Sequence, residues 1–188
     1  MTPRLPSVIT SGVLLAAVTA CGVTLGSRSI TENLPAVTVP GAALPAELGL
    51  SLGLALSSPE LDIGAESALV TFISVRDLIL QIQQTSETQD SIEDGAPDNF
   101  DFLTSANIFI RGEFEDATRI MLIATLPEND PQIGAATRNL DFTVVDNNVF
   151  DFLLLPNGYD IVLELEGSIP ADNVTFTGQL TYRVGIGF

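Results

Sequence analysis

The chain has 188 residues, enough for one domain with a leader, and 46 % of them are hydrophobic, which excludes global disorder. Twenty-four Asp and Glu stand against seven basic residues, all Arg, for a formal net charge of −17 with no Lys, His or Trp. That balance repels phosphate backbones and anionic headgroups, so no nucleic-acid partner is expected and membrane contact falls to the N-terminus.

Met1 to Pro6 carry one cation, Arg4; an apolar stretch follows from Val8 to Ala20, and then Cys21. This is the order of a secretory signal: charged start, apolar middle, small residues at the cut. Val18-Thr19-Ala20-Cys21 has an aliphatic residue at −3, small residues at −2 and −1, and then Cys, and so resembles a lipobox. On these residues the N-terminus is similar to that of bacterial lipoproteins. The resemblance implies a cut before Cys21, a diacylglycerol on its thiol and an acylated new amine. Lipidation also accounts for a single Cys in an exported chain, where an unpaired thiol is otherwise a liability. Each buried CH₂ contributes about 0.8 kcal/mol, so two or three acyl chains hold where one does not. Gly22, rather than Asp, follows the cysteine. By resemblance to enteric sorting this implies the outer membrane, at its periplasmic face or the cell surface, rather than the inner one. Three other readings remain. Val18-x-Ala20 also suits an ordinary signal peptidase, an uncleaved anchor would need about 20 apolar residues, which the leader barely offers, and Cys21 could be a buried structural cysteine of a cytosolic protein.

Past Cys21 the residues to about Ala46 are small and polar, with Pro35, Pro40 and Pro45 at regular spacing. They read as a tether reaching roughly 3 Å per residue. From Leu48 to Leu56 leucine takes every even position, a period of two that predicts a strand or a domain-entry segment. Ser74–Thr85 alternates Leu78, Leu80 and Ile82 with Asp77, Gln81 and Gln83, and an acidic loop, Ser86–Asn99, follows. Strand-like runs continue over Thr104–Phe114, Thr118–Leu126, Asn139–Val145, Tyr159–Glu166 and Asn173–Gly185. Turn chemistry separates them, at Pro127-Glu-Asn-Asp-Pro131, Asp146-Asn-Asn148, Pro156-Asn-Gly158 and Pro170-Ala-Asp-Asn173.

One-faced strands without a long amphipathic helix predict an all-β fold, an antiparallel β-sandwich of seven or eight strands, with a closed barrel as the alternative. Leu78, Leu80, Ile82, Ile108, Ile110, Leu163 and Leu165 are its expected core. The expected organisation is a signal peptide over residues 1–20, a lipid-anchored tether over 21–47 and a sandwich over 48–188. Phe102-Leu-x-Ser105-x-x-Ile108-x-Ile110 and the run from Asn173 to Val184 resemble the C-terminal β domain of uncharacterised bacterial lipoproteins, a likeness that brings no activity with it. Phe100-Asp-Phe-Leu103 recurs as Phe150-Asp-Phe-Leu153, either by duplication of a strand pair or by coincidence in an acidic β protein.

The missing residues narrow the chemistry. Without His there is no Ser-His or Cys-His pair and no ordinary zinc site. Without Lys there is no Schiff base and no P-loop. Carboxylates remain, but a glycosidase cleft needs aromatic platforms, and the chain has two Tyr and no Trp. Asp90-Ser-Ile-Glu-Asp94-Gly95 with Asp101 departs from an EF-hand at Ile92 and Pro97, so a solvated acidic loop is the better reading. No catalytic, cofactor-binding or metal residue is assigned and no cofactor is implied; Cys21, as lipidation site, is the one functional residue. Two roles follow. One is an envelope lipoprotein acting as a structural or interaction module toward an unnamed partner. The other is a carrier that opens its sandwich to a small ligand or lipid. The acidity itself fits either adaptation to high salt or a GC-rich genome that favours Arg codons.

Overall fold

A computed structural model describes residues 24–41, 49–57, 69–83, 98–134, 137–170 and 173–187. The period-two runs become strands in two antiparallel sheets. Sheet A is built from β1 (Thr24–Val39), β9 (Val174–Gly187), β3 (Val70–Ile82) and β6 (Asn139–Asp141), in that spatial order. Sheet B runs β2 (Gly49–Ser57), β8 (Asp160–Ser168), β4 (Leu103–Glu113), β5 (Thr118–Leu126) and β7 (Thr143–Val144). One four-residue helix, α1 (Phe150–Leu153), precedes β8. The all-β sandwich expected from the alternation is therefore the fold, with nine strands among the described residues rather than seven or eight.

The core lies between the sheets, because each strand presents its apolar phase inward. Leu78, Leu80, Ile82, Ile108, Ile110, Leu163 and Leu165 are all buried there, beside Phe100, Phe176 and Tyr182. Glycine lets two elements close on this core. A Cβ on Gly178 of β9 would lie 2.8 Å from Leu34 of β1 and 3.0 Å from Leu80 of β3. A Cβ on Gly112 of β4 would run into Leu155 and Phe152, which places α1 against the end of that strand.

The structure corrects two readings and bears on a third that the sequence left open. The stretch taken as tether contains β1, hydrogen-bonded along β9 from Thr24↔Gly187 to Val39↔Val174. Its inward phase is Ile30, Glu32 and Leu34; a register shift between Leu34 and Val37, spanning Pro35, then brings Val37 and Val39 inward. The sandwich thus includes 24–39, while the leader, Cys21 and the rest of the stretch at 42–48 lie outside the described residues. Second, Asn139–Val145 is two short strands in different sheets. Buried Phe142 is the crossing point, its N–H donating 3.0 Å to the Leu78 carbonyl of β3 before the chain joins β5 through Val145. The repeated Phe-Asp-Phe-Leu, for which duplication or coincidence stood open, takes two forms, a turn running into β4 and the helix α1, in keeping with coincidence.

The two ends of the sandwich follow from the register. β1, β3 and the β9 C-terminus share one end, since Thr24 pairs with Gly187 and Val70 with Ile186. The β4–β5 hairpin and α1 lie there too: the Val149 N–H donates 2.7 Å to the Ile73 carbonyl, and Phe152 meets the hairpin's Phe114 edge-on at 5.2 Å. This is the near end. The far end holds the β3–β4, β5–β6 and β8–β9 connections.

Candidate functional site

Among the described residues, Glu32, Tyr159 and Tyr182 form a polar cluster inside the sandwich. Pro156-Asn157-Gly158 makes the turn before β8, with Gly158 at φ +76°, a backbone state glycine adopts without steric cost. That turn delivers Tyr159 into the inter-sheet space. Its hydroxyl donates to Glu32 Oε2 of β1 at 3.1 Å and lies 3.2 Å from the Tyr182 hydroxyl of β9. Glu32 is 7 % exposed, an unusual place for a carboxylate unless it is hydrogen-bonded. The Tyr182 phenol is pushed well above its ordinary pKa by burial first, and then by Tyr159 and Glu32 beside it. The phenol is thereby held neutral, and the cluster ties sheet A to sheet B.

The outer faces differ in chemistry. Sheet A presents hydroxyls and amides, with Thr31 and Thr181 paired at 3.2 Å, Thr38 and Thr175 at 2.9 Å, and the Gln179 amide donating to Asn33 Oδ1 at 3.3 Å. Asn33, Gln81, Asn139, Asp141 and Gln179 line a shallow depression of about 400 Å³ across all four strands, with Ile79 in its wall. At its rim, the Gln132 side chain copies a strand: Nε2 donates to the Asp141 carbonyl and Oε1 accepts from its N–H, each at 2.8 Å. Sheet B presents acids along β8. Arg111 reaches Asp160 at 2.6 Å, Ser105 donates to Glu166 at 3.0 Å, and an in-register row of Ala55, Val162, Phe109 and Leu122 crosses four strands between them.

Cys21 lies outside the described residues, three positions ahead of β1. The acidic loop Ser86–Asn99 also lies outside them, apart from Asp98 and Asn99. The Asn99 side chain accepts the Asp101 N–H at 2.8 Å, a local turn leading into Phe100 and Phe102. Sequence reasoning missed the Glu32–Tyr159–Tyr182 cluster. A signal was present in Ile30-x-Glu32-x-Leu34, where an acid takes an inward phase, but a stretch read as tether has no inward phase to violate.

No protein-family model matches this chain, and neither does any curated protein. Among the solved structures similar to it are two that match over most of its length. One is the BFDV capsid protein, crystallised as a 60-mer, at 9 % identity and a TM-score of 0.34, with 88 % of this chain and 95 % of that one covered. The other is the structure of turnip yellow mosaic virus at 100 K, at 9 % identity and a TM-score of 0.26, covering 87 % of this chain and 96 % of that one. Likeness at that level assigns neither a family nor a role.

Proposed function

We propose that this protein is an envelope lipoprotein, held by lipid on Cys21, whose sandwich is a structural or interaction module rather than a carrier or an enzyme. The observation that carries the choice of module over carrier is the filling of the inter-sheet space. Tyr182, Phe100, Phe176, Leu78, Ile108 and Ile123 occupy it as fully buried side chains, and Glu32 with the two tyrosines bridges it. A carrier keeps that space for its ligand. A filled sandwich meets partners with its outside, and the amide-lined depression on sheet A offers hydrogen-bond donors and acceptors there. The anchor rests on Val18-Thr19-Ala20-Cys21 after the apolar run, and Gly22 favours the outer membrane. Among the described residues no helix is long and apolar enough to cross a membrane.

Metabolic labelling with a palmitate analogue tests the anchor. Label is expected on the wild type, and none on Cys21→Ser, which also leaves the membrane fraction; an unlabelled wild type overturns the lipoprotein reading. Native mass spectrometry tests the module. The carrier reading returns if the protein emerges with a stoichiometric lipid or small molecule beyond its covalent acyl chains.

A further inference from the structure

The correction at β1 changes how the domain sits on its anchor. A tether over 21–47 would let the sandwich range about 80 Å from the bilayer at roughly 3 Å per residue. With β1 starting at Thr24, three peptide steps separate Cys21 from the sheet, a reach of about 11 Å when fully extended. The near end is therefore the end a lipid on Cys21 would hold against the surface.

That end carries two further features. Among the described residues the exposed large hydrophobics are Leu69, Ile120 and Leu154, at 37 %, 56 % and 53 % exposure. Single exposed leucines are ordinary on soluble proteins. These three, however, share one end: Leu69 abuts the start of β3, Ile120 lies two residues into β5 from the hairpin, and Leu154 caps α1. The second feature is charge. Of the six arginines after the leader, Arg28, Arg76, Arg111, Arg119 and Arg183 lie in the near half, and Arg138 alone lies toward the far end. Several near-end acids are paired with them: Asp160 with Arg111 at 2.6 Å, Asp116 with Arg119 at 2.9 Å, and Asp146 with Arg183 at 3.7 Å. Glu113, Glu115 and Asp151 remain on that side as well, and the β2–β3 connection, which leaves and returns there, carries Glu60, Asp62 and Glu66 in its sequence. The far end is more acidic still. The β3–β4 connection that leaves and returns there carries Glu87, Asp90, Glu93, Asp94, Asp98 and Asp101 in its sequence, with no arginine.

Resting on the Cys21 anchor proposed above, we infer that the sandwich stands end-on to the bilayer, with its near end seated on lipid through Leu69, Ile120 and Leu154 and its acidic far end turned outward. The lipid surface suits this end because the chain ahead of β1 arrives there, beside exposed apolar side chains that an interface accepts. An acyl anchor supplies the effective concentration that makes three weak apolar contacts count.

The chain has no Trp, so a single introduced one is a clean reporter. The mature lipidated protein is reconstituted in phosphatidylcholine vesicles, with and without brominated phosphatidylcholine, as three variants: Leu154→Trp, Ile120→Trp, and Glu128→Trp at the far end. The expected result is blue-shifted emission, quenched at least twofold by bromolipid, for the first two, and unshifted, unquenched emission for Glu128→Trp. Two exposed near-end positions guard against one variant failing to fold. Acyl label on Cys21 with all three emissions unquenched overturns the seating and leaves the anchor standing. Quenching of Glu128→Trp alone reverses the orientation and overturns it too. Absence of both label and vesicle association overturns anchor and seating together.

Discussion

The two long edge strands, β1 and β2, face the same physical problem and handle it differently. Each ends a sheet and presents one side of its backbone to a possible extra strand. β1 is interrupted by a register shift that spans Pro35, and it carries Glu32 pointing inward, where no apolar intruder strand would tolerate it. β2 has none of these. Its nine residues are Gly, Leu, Ser and Ala, without charge or proline, and they pair with β8 in unbroken register from Gly49↔Ser168 to Ser57↔Asp160. The features that guard β1 also hid it. A strand with a proline, a bulge and a buried acid does not look like a strand in sequence, whereas the bare edge shows a clean leucine period.

That contrast breaks or sharpens in three experiments. Removal of β1 has the largest effect. A chain starting at residue 48, where the sequence pattern places the domain boundary, leaves β9 with a bare edge and strips Leu34, Val37 and Val39 from the core. It is expected to show no cooperative urea transition, whereas a chain starting at residue 24 unfolds in one step; two equal transitions would return 24–39 to the tether.

The buried cluster comes next. Glu32→Ala leaves the Tyr159 hydroxyl without its carboxylate acceptor in the interior, an expected loss of about 1–3 kcal/mol by denaturant melt, with Glu32→Gln closer to wild type. The alkaline limb has a defined sign. The folded protein holds the Tyr182 proton above the ordinary phenol pKa, so the stability contributed by that group is intact below pH 10 and lost as pH rises through the folded value. Tyr182→Phe should flatten that limb, and phenolate absorbance in wild type should lag behind that of free tyrosine until the fold opens.

The smallest effect on stability belongs to the bare edge. A Cβ on Gly53 would meet nothing within 4 Å, so Gly53→Lys is expected to shift stability by no more than about 0.5 kcal/mol. It should nonetheless lower concentration-dependent association of the leaderless domain in sedimentation velocity, because a lysine on an edge discourages strand addition. Equal association of both proteins would mean that β2 is not a docking edge.

What was legible in the sequence follows from how locally each feature is encoded. β5 was read at its observed bounds, Thr118–Leu126, and β4, β8 and β9 within a few residues, because a strand wet on one face writes its period into adjacent side chains. The seven residues chosen for the core are buried for the same reason. The crossing at Phe142 was not legible: an apolar residue that stays inside while the backbone changes sheets leaves the alternation looking continuous. Nor was the tie between Glu32, Tyr159 and Tyr182, whose members lie 127 and 23 residues apart and meet only through the sheet order. The depression on sheet A is of the same kind. Asn33, Gln81, Asn139 and Gln179 come from four strands, and nothing local marks them as neighbours.

The order β1-β9-β3-β6 also constrains when the protein folds. The latest strand, β9, lies between the first and the third, so β1 has no sheet neighbour, and β3 only the short β6, until nearly all of the chain is present. The β4–β5 hairpin, closed by a four-residue turn, is the early-forming exception, while the β1–β9 ladder closes a loop spanning almost the whole domain. Such non-local pairing places folding in the range of milliseconds to seconds, roughly, rather than microseconds. A chain emerging N-terminus first therefore has β1 unpaired and β3 joined to β6 alone until its last strand appears. Sheet A is completed only when β9 enters the slot between β1 and β3.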